Sequence, residues 1–108
     1  MAFLSKQSKL TGTLANVYTT PAGKTAIIFS GIVSNTDTTS QEIVEVDIQL
    51  THGSTTTSIL TDVPICYGGS LVLPKIVVQE NGILKAKVTN TADANKIDLT
   101  LSILEQDK

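Results

Sequence analysis

The chain has 108 residues and a formal net charge of −2. This length allows one domain built around one hydrophobic core. All eight positively charged side chains are lysines, and they are scattered along the sequence. Nucleic-acid recognition depends on dense basic patches and on the planar fork of arginine. We therefore expect no nucleic-acid partner.

The cysteine count and the hydropathy pattern exclude further classes of protein. Cys66 is the single cysteine, so an internal disulfide is excluded. The longest apolar runs, such as 26–29 and 76–78, are far shorter than the roughly 20 residues of a membrane span. Residues 1–6 lack the pattern of a signal peptide. We expect synthesis in the cytoplasm and no membrane partner.

In the first twelve residues, residues 5–9 are polar, and Phe3 and Leu4 are the only large apolar residues between Met1 and Leu10. This pattern predicts an N-terminal arm, residues 1–12, followed by a single β-sandwich domain, residues 13–108. Such an arm is mobile, docks on a neighbour, or covers its own sheet.

Two strands and a turn follow the arm. Residues 13–20 predict a strand, and Pro21-Ala22-Gly23-Lys24 has the composition of a tight turn. Residues 25–35 form the most hydrophobic stretch and leave almost no polar face. That pattern predicts a central strand covered on both sides, either by its own chain or by a partner molecule.

Strict alternation marks the next strand, residues 42–52. Its aliphatic and polar residues alternate in the pairs Val44 and Glu45, Val46 and Asp47, Ile48 and Gln49, and Leu50 and Thr51. A period of two places all the aliphatic side chains on one face. After a turn at residues 52–54, residues 55–61 predict the returning strand, and residues 63–70 predict an irregular connection.

The last third of the chain predicts short strands. Pro74 argues for an edge or a break after residues 71–73. Asn81-Gly82 predicts a hairpin between residues 76–79 and 83–91. Residues 97–103 alternate again, and Leu104 then places an aliphatic side chain on the polar face.

The fold class follows from this series of elements. About seven or eight strands, spaced by about 8–12 residues and without helical periodicity, predict an all-β antiparallel β-sandwich or jelly roll.

No catalytic, cofactor or metal residue is predicted. A Ser-His-Asp triad would need His52, the only histidine, which falls at a turn and is expected to be exposed. Cys66 stands between Ile65 and Tyr67, which predicts a buried structural thiol. One cysteine and one histidine do not complete a zinc site. We expect a protein that is not an enzyme and has no cofactor.

Carboxylates near loops are predicted to cap turns or to be solvated, since no Asp-x-Asp-x-Asp-Gly pattern of a calcium loop occurs. They are Asp37, Asp62, Asp93 and Asp98.

The apolar content of residues 26–33 exceeds what one sheet face needs. Two hypotheses explain the excess: burial against another chain, or coverage by the arm through Phe3 and Leu4. Lys85 and Lys87, next to a strand carrying Glu45 and Asp47, also suggest charge complementarity between copies.

One stretch, residues 14–28, resembles the start of small structural proteins of tailed-phage virions. In those proteins a Tyr-Thr-x-Pro-Ala-Gly-Lys-Thr-Ala turn leads into an apolar strand that ends in Asn, here Asn35. Residues 63–65, 69–71 and 102–105 look like later landmarks of the same pattern, so the resemblance spans residues 13–105.

The resemblance implies a non-enzymatic component of a bacteriophage virion, made in the host cytoplasm. Such a component is a capsid decoration (cement) protein or a subunit of the neck, tail or fibre attachment. It binds other virion proteins, either the major capsid protein or neck and tail proteins, and forms a homo-oligomer. The alternatives are a carbohydrate- or ligand-binding β-sandwich module and a small hydrolase that uses His52.

Overall fold

The computed structural model describes residues 2–108, which form nine β-strands and one short 3₁₀ helix. In chain order these are β1 (Ala2–Lys9), β2 (Ala15–Thr19), β3 (Lys24–Asn35), β4 (Val44–His52), β5 (Thr55–Ile65), β6 (Ser70–Leu73), β7 (Ile76–Val78), β8 (Ile83–Val88), the 3₁₀ helix (Thr91–Asp93) and β9 (Ile97–Asp107).

The strands form two antiparallel sheets. The front sheet has the order β1-β9-β3-β6, with β7 also paired to β3, and the back sheet has the order β2-β8-β4-β5. When β6 and β7 are counted as two halves of one strand, the chain changes sheet at every step except the β4–β5 hairpin. This is the double-sheet arrangement of a jelly roll, and the predicted antiparallel β-sandwich is confirmed.

Aliphatic side chains fill the space between the sheets. The alternation in β4 directs Val44, Val46 and Ile48 inward, where each is fully buried. The largest other side chains that are fully buried are Ile28, Leu84, Ile97, Leu99, Leu101 and Ile103. Tyr18 is the only aromatic residue of the core within residues 2–108. Inward alternation fixes the register, because a slip of one residue would expose every aliphatic side chain of a strand.

The predicted position of β3 at the centre of a sheet is confirmed. It pairs with β9 on one side and with β6 and β7 on the other. Its register with β9 shifts between Ile28 and Ser30, so Phe29 forms a bulge. Pro74 separates β6 from β7 near the same level, which confirms the break that this proline predicts.

The hairpin predicted at Asn81-Gly82 is wrong. A tight turn is present, since Asn81 has φ of +63° and the Gly82 amide donates to the Gln79 carbonyl at 2.8 Å. However, β7 belongs to the front sheet and β8 to the back sheet. Turn chemistry fixes a reversal of the chain, whereas the burial of Val78 and Leu84 decides which strands pair.

The irregular connection predicted for residues 63–70 begins later than expected. β5 continues to Ile65, which pairs with Val44. Asp62, with φ of +49°, lies where the register shifts, and Pro64 lies on an edge strand, where a missing amide is tolerated.

Residues 2–9 of the predicted arm form the edge strand β1, which pairs with β9 from Ala2 opposite Glu105 to Lys9 opposite Asp98. Leu10 follows into the core, and its amide donates to the Ile97 carbonyl at 3.0 Å. Met1 lies outside the described residues. The division into an arm and a separate body stays a prediction.

Candidate functional site

One row of apolar side chains crosses the outer face of the front sheet. Phe3 of β1 lies opposite Leu104 of β9, Leu104 opposite Ile27 of β3, and Ile27 opposite Val77 of β7. Directly paired residues of neighbouring strands point to the same side of a sheet. Their neighbours Ile28 and Ile103 are buried in the core, so this row faces outward.

Phe29, Ile32 and Val72 extend this row. Ile32 lies opposite Val72 of β6, and the bulged Phe29 stacks on Phe3 with ring centroids 6.2 Å apart. We call the set the apolar stripe: Phe3, Ile27, Phe29, Ile32, Val72, Val77 and Leu104.

Much of the apolar stripe is open to solvent. Phe3 is 73% exposed, Val72 68% and Val77 53%. The most extensive exposed apolar patch of a protein is often a functional surface. The stripe is therefore the candidate functional site.

Small hydroxyl groups border the apolar stripe. Ser5, Ser102 and Ser30 lie in register across β1, β9 and β3. Farther along the same face, Lys9 and Asp98 form an ion pair at 2.8 Å. Because that lysine is paired with its neighbour, this side of the stripe suits a contact with an apolar surface better than one with a charged ligand.

The outer face of the back sheet is polar. Asp47 accepts hydrogen bonds from the Asp62 amide at 2.8 Å and the Thr89 hydroxyl at 3.2 Å. The Lys87 ammonium lies 4.0 Å from the Asp47 carboxylate. The sequence suggested that these charges complement each other between copies. Asp47 and Lys87 approach each other within one chain because β4 and β8 are neighbours, and complementarity between copies stays a prediction.

His52 and Cys66 are not brought together. His52 is exposed at the end of β4, as its turn position predicted. The prediction of a buried Cys66 is wrong, since its thiol is free and exposed. Ile65 takes the inward position at the end of β5, and Cys66 begins the next turn, where the Gly69 amide donates to the Cys66 carbonyl at 2.8 Å.

The loop carboxylates stabilise turns. Asp37 is buried and accepts hydrogen bonds from the Thr39 and Ser40 amides, each at 3.1 Å, and from the Ser40 hydroxyl. These hydrogen bonds, the one from the hydroxyl above all, hold the pKa of Asp37 well below its usual range. Lys96 lies 3.5 Å from Asp37 and 3.1 Å from Asp93. The predicted capping role is confirmed for Asp37.

Within residues 2–108 there is no group of side chains suited to hold a metal ion and no helix that could span a membrane. Across residues 2–108, no three His, Cys, Asp or Glu side chains come close enough to share an ion. No helix in this range is long and apolar enough to cross a bilayer.

Sequence reasoning singled out part of the apolar stripe and missed the rest. The apolar excess of residues 26–33, the apolar Phe3 in a mostly polar segment and the break in alternation at Leu104 were visible signals. Val72 and Val77 were missed, although each stands in a short run that is apolar on both faces.

No protein-family model matches the sequence, and no curated protein matches it either. The fold is similar to a chain in the acidic stable capsid structure of Helicobacter pylori bacteriophage KHP30. The identity is 12%, the TM-score is 0.58, and the match covers 99% of this chain and 93% of that one. A chain in the structure of infectious bursal disease virus Gx strain matches with 12% identity and a TM-score of 0.55, over 96% of this chain and 29% of that one.

A pentameric capsid protein isolated from metagenomic phage sequences is 14% identical, with a TM-score of 0.46 over 92% of this chain. This chain spans 59% of that protein's length. A score of that size does not establish a shared fold. At identities this low, a structural match is evidence of a similar fold and not of a similar activity.

Proposed function

We propose that this chain is a non-enzymatic structural component of a bacteriophage virion, which forms homo-oligomers and binds other virion proteins. The observation that carries the proposal is the apolar stripe, which the sandwich does not need for its own core. The nearly full-length similarity to a chain of a phage capsid supports a place in the virion.

The size of the apolar stripe suggests how it works. Full burial of one Val, Ile or Phe side chain is worth about 1.5–3 kcal/mol, and the stripe residues are only partly exposed. Burying the stripe therefore contributes on the order of 5–10 kcal/mol, against an association cost of about 4–15 kcal/mol. A single contact of this kind is weak, whereas an oligomer that makes several such contacts with one particle binds tightly through avidity.

Within the virion we favour the capsid surface, as a decoration (cement) protein bound to the major capsid protein. An apolar outer face on a small sandwich suits attachment to the outside of a shell. Attachment to the neck, tail or fibre would use the same face, and the experiment below distinguishes the positions.

The test uses purified protein and virions of the phage that encodes it, stripped of this chain. Wild-type protein should show a mass of two or more times 11.4 kDa in light scattering and should co-sediment with the particles. The double variant Val72→Ser/Val77→Ser should keep its β-type circular dichroism and lose co-sedimentation at least tenfold. Electron microscopy of the rebound particles then shows whether capsid, neck or tail is decorated.

The matched control changes the opposite face. Gln49→Ser/Lys85→Ser alters a directly opposed pair on the outer face of the back sheet and should bind like wild type. A wild-type protein that stays at 11.4 kDa and ignores the particles would refute the proposal. If that monomer binds a glycan array instead, the ligand-binding alternative is correct.

A further inference from the structure

The sandwich has four edge strands, and three of them are interrupted. β2 has only five residues and a register shift. β5 carries a positive φ at Asp62 and a proline at position 64, and Pro74 breaks the edge made by β6 and β7. Such interruptions block the addition of another strand. β1 differs, because its eight residues pair with β9 in one unbroken register.

The free side of β1 presents regular hydrogen-bonding groups. The Leu10 amide points to β9, where it donates to the Ile97 carbonyl. Successive residues of an antiparallel strand direct their amides and carbonyls to opposite sides. The groups of Phe3, Ser5 and Gln7 therefore point away from β9. Within residues 2–108 no strand pairs with that side.

We propose that a second copy of this chain pairs with β1 through its own β1, antiparallel, about a two-fold axis at Ser5. This inference rests on the homo-oligomer of the proposed function and specifies its contact. The same molecule offers no other uninterrupted edge, so a regular ladder between copies joins β1 to β1. An identical patch on both copies closes the contact as a dimer.

The charges of β1 select the register. With the axis at Ser5, Phe3 faces Gln7 of the second copy and Lys6 faces Leu4. With the axis at Lys6, the two copies of Lys6 would face each other, and like charges directly opposite are destabilising. With the axis at Leu4, fewer residues pair. Among the possible axes, the one at Ser5 gives the longest ladder in which no lysine of β1 faces another lysine.

This pairing would also enlarge the apolar stripe. A two-fold axis perpendicular to the sheet keeps the outer faces of both front sheets on the same side. The two sheets then form one continuous sheet, with Phe3 of each copy next to the junction. The dimer presents two stripes together to a binding partner, which raises its avidity.

Cysteine cross-linking tests the register. Cys66 is exposed, so it is first replaced by Cys66→Ser to leave one engineered thiol. In the proposed dimer the two Ser5 Cα atoms lie about 5.5 Å apart, within the range of a disulfide. The matched control Gln7→Cys lies on the same face of the same strand, but its two copies are separated by roughly 14 Å, about four residues along the ladder.

Under mild oxidation, Ser5→Cys should convert most of the protein to a disulfide-linked dimer with unchanged circular dichroism, and Gln7→Cys should stay monomeric on a denaturing gel. Equal cross-linking of both variants, or of neither, would overturn the inference. Preferential cross-linking of Lys6→Cys would overturn the register.

A second variant gives an independent measurement. The Ser5 amide points to the free edge, so Ser5→Pro removes no hydrogen bond to β9 but blocks a strand on the other side. The dimer mass should fall to 11.4 kDa. If Ser5→Cys does not cross-link while wild-type protein still co-sediments with particles, only this inference fails. If cross-linking succeeds and co-sedimentation is absent, only the particle-binding role fails.

Discussion

The outer faces of the two sheets differ in the polarity of the side chains that they present to solvent. On the front sheet, β3 directs Ile27 and Ile32 outward. On the back sheet, β4 directs Glu45 and Asp47 outward, although both strands bury aliphatic residues on their inner side. A two-layer sandwich needs only its inner faces to be apolar. The outward aliphatic residues of the front sheet are not needed for the core, and the proposed contact with another molecule rests on them.

On the outer face of the back sheet, polar side chains find their partners within the same chain. Asp47, Asp62 and Thr89 form hydrogen bonds with one another, and Lys87 lies beside Asp47. These groups find partners within the chain. The apolar stripe has a stacked pair, Phe3 and Phe29, and its Leu104 is buried, but Phe3, Val72 and Val77 remain more than half exposed.

The largest expected effect on the free energy of unfolding comes from substituting a residue on the inner side of β3, in comparison with one on its outer side. Ile28 is fully buried, so Ile28→Ala should lower the free energy of unfolding by about 2–5 kcal/mol through lost burial and a cavity. Its neighbour Ile27 belongs to the partly exposed stripe, and Ile27→Ala should cost clearly less. Urea unfolding measures both. Equal losses would show that the stripe is part of the core.

On the polar face, Asp47→Ala should lower the free energy of unfolding by about 1–3 kcal/mol, because the Asp62 amide and the Thr89 hydroxyl lose their acceptor. Glu45→Ala is the control on the same strand and the same face. Glu45 is exposed and should change stability by less than about 0.5 kcal/mol. A neutral Asp47→Ala would contradict the view that this face is stabilised from within.

Tyr18 joins the two sheets, since its hydroxyl donates to the Glu105 carboxylate at 2.5 Å. Burial and this hydrogen bond raise the pKa of Tyr18 to about 12. The neutral phenol is favoured in the folded state, so its contribution to stability is complete below pH 10.0 and is lost as pH rises through about 12. Ultraviolet titration of tyrosinate should show a step near pH 12 that Tyr18→Phe removes. If the step that Tyr18→Phe removes lies at the ordinary value of 10.0 instead, the assignment is contradicted.

The smallest expected effect concerns the apolar stripe itself. Val72 is 68% exposed, so Val72→Thr should change the free energy of unfolding by no more than about 0.5 kcal/mol. Leu73, the next residue, is 3% exposed, and Leu73→Ala should cost about 2–5 kcal/mol. Both are measured by urea unfolding. A large loss for Val72→Thr would mean that the stripe serves the fold rather than a partner.

Part of the candidate site was within reach of sequence reasoning. The apolar excess in residues 26–33 and the outward Leu104 follow from periodicity, because each residue of a strand points to a side fixed by its position. Joining them to Phe3, Val72 and Val77 needs the pairing of four distant strands. The strand conformation of residues 2–9 was likewise not predicted, because few of these residues are apolar and their pairing partner β9 lies about 90 positions away.

By itself the sequence determined the all-β class, the inward faces of β4 and β9 and the positions of most turns. These depend on local alternation and on residues such as Pro74 that act within a few positions. Only the tertiary structure decided which strands pair, that Asn81-Gly82 joins two sheets, and that the apolar side chains converge on one outer face. Pairing depends on burying inward faces that are far apart in the chain, and no local pattern encodes that distance.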